Sequence, residues 1–176
     1  MNWIRRLIAR ILRLFGMGGQ AVPREPVSMA PIAVVRNAVF DPKPDGWENV
    51  RSDLIFRDDL VDAIDGLDEF SHVIVIFACH RVPDAARTPR LAAPGRGILA
   101  TRSQLRPNSL GVAVVRLVRR RRNILRVIGL DAIDGTPILD IKPYLPHYDS
   151  APEAQIPDWA QMPEGPEGDS PPSADE

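Results

Sequence analysis

Leu110-Gly111-Val112-Ala113-Val114-Val115-Arg116-Leu117, then Val118-Arg119-Arg120-Arg121-Arg122-Asn123, then Ile124-Leu125-Arg126-Val127-Ile128-Gly129-Leu130 puts two β-branched runs on either side of a polar turn. Branching at Cβ suits a pleated surface, so this stretch predicts a hairpin of two strands with its turn over Arg119 to Asn123. Nearby runs repeat the pattern. Pro137 to Ile141 and Gly97 to Ala100 read as further strands, and Val73 to Cys79 reads as an apolar strand buried on both sides or nearly so. Pro31 to Val39 and Leu54-Ile55-Phe56 add two more, with a Pro- and Gly-bearing loop over Asp41 to Asn49. Asp58 caps a short helix through Ile64, stopped at Gly66. Short strands joined by turns, with little helix, predict a mainly β fold, a small barrel or sandwich.

The flanks differ from this middle. Met1 to Phe15 carries Trp3, Ile4, Leu7, Ile8, Ile11, Leu12, Leu14 and Phe15 on one half of a helical wheel, with Arg5, Arg6, Arg10 and Arg13 on the other. This predicts an amphipathic helix over residues 1–16, ended by Gly16 and the Gly18-Gly19 pair. It is too short to span a bilayer and too interrupted by arginine to be a signal peptide. A basic face with aromatic ends suits an anionic membrane surface or a protein partner, and the two stay equal. Residues 17–30 read as a linker and 31–149 as the folded domain. Residues 150–176 read as a disordered acidic tail, in which prolines alternate with Asp and Glu and no Lys or Arg occurs. Trp159 and Met162 are its only apolar anchors.

Charge is segregated although the formal net charge is only −1. Between His80 and Arg126 lie twelve arginines against one acid, Asp84. Such a block is the footprint of a polyanion partner. An arginine-rich composition on a solvated surface gives the same count, since lysine is nearly absent. The single cysteine, Cys79, excludes an internal disulfide and reads as core. His72, His80 and His147 lack ligand spacing, so no metal site is expected. Gly95 and Gly97 precede a strand, which excludes a dinucleotide fingerprint.

Two turn clusters gather polar groups at strand ends. Arg106-Pro107-Asn108 is a rigid turn, and Arg102 and Arg106 offer forked donors to a carboxylate or phosphate. Asp134-Gly135-Thr136-Pro137 is a second turn, whose Asp can accept from a ribose or amine. His80 closes an apolar strand beside Arg81, where a structural histidine and a ligand contact are equally consistent with the sequence.

Gly97 to Ser103, Arg106-Pro107-Asn108, Gly111 and the run Leu130 to Pro146 together resemble the TrmO-type tRNA methyltransferases. Gly66 to His72, followed by the strand ending at His80, matches the same family, and the likeness spans Pro31 to Pro146. The resemblance implies a small β-barrel, usually dimeric, that binds S-adenosyl-L-methionine. It also implies methyl transfer to N6 of threonylcarbamoyladenosine beside the anticodon of tRNA, in the cytoplasm. By the family's pattern His80, Arg81, Arg102, Gly111, Val112, Asp134, Gly135, Thr136 and Pro137 contact the methyl donor. Arg106, Asn108, Lys142 and Tyr144 match motif positions around that pocket as substrate or phosphate contacts. Asp134 is the first choice as proton acceptor and Tyr144 the second. The turn Arg119, Arg120, Arg121 and Arg122 is the expected contact with the tRNA backbone.

The sequence also departs from the family. Pro42-Lys43-Pro44 stands where a Pro-Arg-Gln loop is common, Ser109 where a second proline is usual, and Thr88 where Pro-Pro-Arg is usual. The C-terminal domain of larger bacterial members is lacking, so the tRNA grip is expected from the barrel, a dimer partner or the first helix. Two other functions fit the same residues: a barrel that binds adenosylmethionine or a nucleotide while tethered to a membrane or complex, and a methyltransferase for a small molecule.

Overall fold

The computed structural model describes residues 25–42, 45–86, 91–93 and 96–160, with side chains of residues 91–96 left aside. The expected helix over 1–16, most of the linker and the end of the acidic tail lie outside these residues.

Six strands close into an antiparallel barrel in the order β1-β2-β7-β6-β3-β8. They are β1 (Ala33–Arg36), β2 (Arg51–Phe56), β3 (His72–Ala78), β6 (Leu110–Arg121), β7 (Ile124–Ile128) and β8 (Pro137–Pro143). A separate two-stranded ribbon pairs β4 (Leu91–Ala93) with β5 (Arg96–Gly97). Closure removes the exposed edges that a six-stranded open sheet would leave. Alternate residues point inward, so Val35, Leu54, Val73, Val75, Val115, Leu125, Val127 and Ile138 fill the interior with essentially no exposure.

Several expectations shift in detail. β3 is not buried on both faces: Val73, Val75 and Phe77 point in, while Ile74, Ile76 and Ala78 are half-buried on the outside. A closed barrel has only one interior, so an all-apolar strand must show its other face outward. The long run at Leu110 continues as strand through the arginines to Arg121, which narrows the hairpin turn to Arg122 and Asn123. Arg122 takes the left-handed conformation, φ 53°, that a two-residue hairpin turn demands. β7 stops at Ile128 because Gly129 turns at φ 94°. The helix expected after Asp58 forms as two 3-10 turns, Asp58–Leu60 and Asp62–Ile64, and Ile98–Ala100 is a third where a strand was expected. Among the described residues the α-helix is α1 (Pro146–Asp149), and no helix is long and apolar enough to cross a membrane.

Candidate active site

Strand direction puts the C-terminal end of β3, the start of β6 and the start of β8 at one end of the barrel. There a cavity of about 1280 Å³ opens between three segments. The first is the exit from β3, with Cys79, His80 and Arg81. The second is the loop from Leu99 to Asn108, and the third runs from Asp131 to Thr136. Phe77, Gly111 and Val112 lie among the walls.

In the loop Ile98 to Asn108 only Ile98 is buried, and hydrogen bonds shape the rest. Thr101 Oγ1 donates to Ile98 O at 2.8 Å and accepts from the Ser103 N–H at 3.2 Å. Arg106 Nη1 donates to Thr101 O at 2.5 Å, with Nη2 3.5 Å from Leu99 O. Arg106 therefore folds the loop on itself, and the forked donor expected for a ligand is spent on carbonyls. Arg102 differs. One Nη2 contact to Val112 O at 3.2 Å ties it to β6, and its exposed guanidinium otherwise borders the cavity. Asn108 also lines the cavity.

Gly111 stands against the Phe77 ring: a Cβ built there would lie 2.2 Å from ring carbons. A side chain fits there only if the ring shifts, so this glycine leaves room for the ring in the wall. Across the mouth, Arg81 Nη1 donates to Phe40 O at 2.6 Å and lies 3.5 Å from Asp41 Oδ1. Arg81 thus fastens the loop after β1 to the rim. His80 is exposed there.

The third segment separates its two aspartates. Asp134 does not line the cavity. Its Oδ1 accepts the Asn37 N–H at 3.0 Å and its Oδ2 faces Arg36 Nη1 at 3.1 Å. The carboxylate proposed as proton acceptor is committed to closing the end of β1. Asn37 extends the same network, donating to Ser52 Oγ and Ala132 O at 2.9 Å each and accepting the Val39 N–H at 2.9 Å. Asp131 lines the cavity instead and is exposed there. It is the only carboxylate among the described lining residues and has no hydrogen-bond or ion-pair partner among them. Thr136 also lines the cavity, only 2% exposed, and its hydroxyl has no partner among the described residues. A buried hydroxyl left unpaired costs free energy unless a ligand or water satisfies it.

The cavity therefore gathers His80, Arg81, Arg102, Arg106, Asn108, Val112 and Thr136 of the expected residues. Gly135 and Pro137 adjoin it in sequence without lining it. Lys142 sits on the outer wall of β8, paired to Asp140 at 2.6 Å. Tyr144 follows that strand, and its N–H bonds His72 O at 3.1 Å, at the opposite end of the barrel. Counted along β8, both lie roughly 20 Å or more from Thr136, because each strand residue advances about 3.3 Å. The turn Arg119 to Arg122 also lies away from the cavity. Asp131 and Asn37 were missed from the sequence. Asp131 offered one signal, a carboxylate directly after an apolar strand, and Asn37 only its place at the end of another.

The profile of the tRNA-methyltransferase O N-terminal domain matches residues 40–150. A probable S-adenosyl-L-methionine-binding protein of Pyrococcus abyssi is 35% identical over 126 residues, 68% of each chain. The tRNA (adenine(37)-N6)-methyltransferase of Escherichia coli K12 is 42% identical over 103 residues, 53% of this chain and 44% of that one. The crystal structure of TrmO from Pseudomonas aeruginosa superposes with a TM-score of 0.66 at 30% identity, over 78% of this chain and 63% of that one. This chain spans a little under half of the Escherichia coli enzyme it matches. With five of the six barrel strands and all the cavity-lining residues inside the matched segment, the chain belongs to the tRNA-methyltransferase O family.

Proposed function

We propose that this protein is an S-adenosyl-L-methionine-dependent methyltransferase acting on N6 of adenine 37 in tRNA, in its threonylcarbamoyl form. The observation that carries this reading is the cavity, whose wall joins arginines, one free carboxylate, a buried hydroxyl and apolar side chains inside the family-matched segment. These groups fit the donor. Arg102 offers a fork to an amino-acid carboxylate, Leu99 and Val112 offer flat apolar walls to an adenine, and the Thr136 hydroxyl needs a polar partner.

S-adenosyl-L-methionine supplies, when bound, a methyl group on a positively charged sulfur. The chain's own groups then have two tasks, alignment and proton removal. Methyl transfer is an in-line displacement in which the C–S pair stays on sulfur and N6 gains the methyl, so holding both partners in line supplies much of the rate. N6 must lose its proton, and an acylated N–H gives it up more readily than a plain amine. Asp131 is the acceptor in this reading, because its carboxylate is free and borders the cavity. Asp134 acts indirectly by holding the lip on which Asp131 stands.

Arg119, Arg121 and Arg122 serve the tRNA backbone, outside the cavity. Arg120 does not join them, since it pairs with Asp65 and donates to Val61 O at 3.0 Å. A second copy of the chain packs on β6 around Val114, which is 52% exposed beside the cavity residues Leu110 and Val112. Light scattering on the purified protein tests this, and a monomer at micromolar concentration would reject it.

Calorimetry with S-adenosyl-L-methionine, joined to mass analysis of tRNA nucleosides from a deletion strain, tests the whole reading. The expected result is donor binding and loss of the N6-methyl mark from threonylcarbamoyladenosine. A second reading draws on the Pyrococcus abyssi relative, which is named only for binding the donor. In that case the barrel binds S-adenosyl-L-methionine as a module, or methylates a small molecule, and the tRNA mark survives the deletion.

A further inference from the structure

Some arginines on this barrel are spent on partners and others are not. Arg36, Arg57, Arg81, Arg106 and Arg120 are each bound to a carboxylate or a backbone carbonyl. Arg51, Arg116 and Arg119 have no hydrogen bond or ion pair among the described residues, and all three are exposed. They lie on one patch. In the strand register Arg51 faces Ile128, and Ile128 faces Arg116. In the next outward row Asp53 faces Arg126, and Arg126 faces Arg119.

Strands about 4.8 Å apart make each three-strand row roughly 10 Å wide. Arg51, Arg116, Arg119 and Arg126, with Val118 and Ile128, line a shallow concavity of about 370 Å³ on this wall. Asp53, the acid in these two rows, does not cancel the charge. Asp53 takes two bonds from Arg126, at 2.7 Å each, which sets the plane of that guanidinium and leaves the other three arginines unpaired. The Asp53 carboxyl is held below the usual carboxylate range chiefly by its bond to Arg126, and the charge of Arg119 adds to the effect. Arg119 therefore stands close to the pair.

We propose that this outer face of β2, β7 and β6 is a phosphate-binding track for an RNA backbone, with Arg51, Arg116 and Arg119 as its phosphate contacts and Arg126 held in place by Asp53. Three separated guanidinium groups across roughly 10 Å match a string of phosphates better than one compact anion. The track also leads toward the site. Ile128 is three residues from Asp131 at the cavity lip, a reach of no more than about 10 Å. A strand whose base enters the cavity can lay its neighbouring backbone along this wall. The inference rests on the tRNA reading above and adds to it where the nucleic acid lies.

The test uses the full chain, unfractionated tRNA and filter binding between about 50 and 200 mM KCl, comparing wild type with the double variant Arg51→Gln/Arg116→Gln. Each lost phosphate contact lowers the slope of log affinity against log salt by about 0.7–0.9, so the double variant should have a slope about 1.5 shallower. Its affinity at low salt should fall about tenfold. Arg57→Gln, which removes one positive charge from outside the track, gives the effect of one lost unit of net charge alone. Calorimetry with S-adenosyl-L-methionine should give the same affinity in all three proteins, confirming that the cavity is intact. A double variant with the slope and affinity of Arg57→Gln would overturn the track while leaving tRNA as substrate. Wild type that binds the donor but no tRNA would overturn the substrate reading and the track with it. Capture of anionic vesicles through these arginines, without tRNA binding, would likewise overturn the track and assign the face to a lipid surface.

Discussion

The two polar segments at the cavity, Ile98 to Asn108 and Asp131 to Pro137, look alike in sequence and divide their work in the same way. Each holds a pair of like-charged residues a few positions apart. In the first, both arginines line the cavity, but Arg106 spends its guanidinium on loop carbonyls while Arg102 makes one bond to Val112 O and keeps an exposed fork. In the second, Asp134 bonds Arg36 and Asn37 while Asp131 borders the cavity. One member of each pair is spent on building the loop, and the other keeps its charged group open to the cavity. A charged residue in a turn is thus as much a builder as a reagent, and only the direction of its side chain separates the roles.

The largest effect expected from this division falls on Asp131. Asp131→Asn should cut single-turnover methyl transfer to tRNA about a hundredfold while donor affinity and thermal midpoint stay near wild type. Asp134→Asn should do the reverse, lowering the midpoint first. Equal loss of rate in both, with both folded, would erase the distinction between the aspartates. On the arginine side, Arg102→Ala should weaken S-adenosyl-L-methionine binding about tenfold or more by calorimetry, the range for losing a charge-assisted fork. Arg106→Ala should act through the loop instead, with increased proteolytic nicking between Ile98 and Asn108.

Smaller effects belong to the supports. Asn37→Ala removes bonds to Ser52, Ala132 and Val39, and should cost about 2 kcal/mol in urea unfolding. Gly111→Ala drives a methyl into the Phe77 ring and should cost about 1–3 kcal/mol, with donor affinity falling in step. An unchanged midpoint would mean the ring swings away freely. The smallest effect is on the wall far from the loops. Asp53 has a folded pKa below its unfolded value, so its pairing adds stability above the ordinary carboxylate range and loses it as pH falls through the lowered value. The partly exposed geometry limits this to about 1 kcal/mol or less, seen as a difference between wild type and Asp53→Asn that starts to shrink below about pH 4 and is gone only once pH has fallen through the lowered value.

Much of the barrel was readable from the chain. Runs such as Val73 to Ala78 and Ile124 to Ile128 could hardly be anything but strands, because branched apolar side chains in short runs between turn residues have few other stable uses. The loops were readable as loops, and their glycines and prolines as turns. The choice between Asp131 and Asp134 was not readable. Both stand in one turn-rich segment, and which carboxylate is consumed depends on Arg36 and Asn37, almost a hundred residues away in sequence. The same limit hid the division of the arginines. Asp65, Val61 and Asp53 claim Arg120 and Arg126 across the barrel, and no local spacing records those claims.

Composition and periodicity settled the kind of strand and the basic character of the middle, and the resemblance of its motifs pointed to the family, since all of these depend on neighbours along the chain. Closure of six strands decided the rest: which residues face a common cavity, which are spent as fasteners, and which arginines stay free on the outer wall. Side-chain roles follow from partners in space, and those partners exist only once distant strands have met.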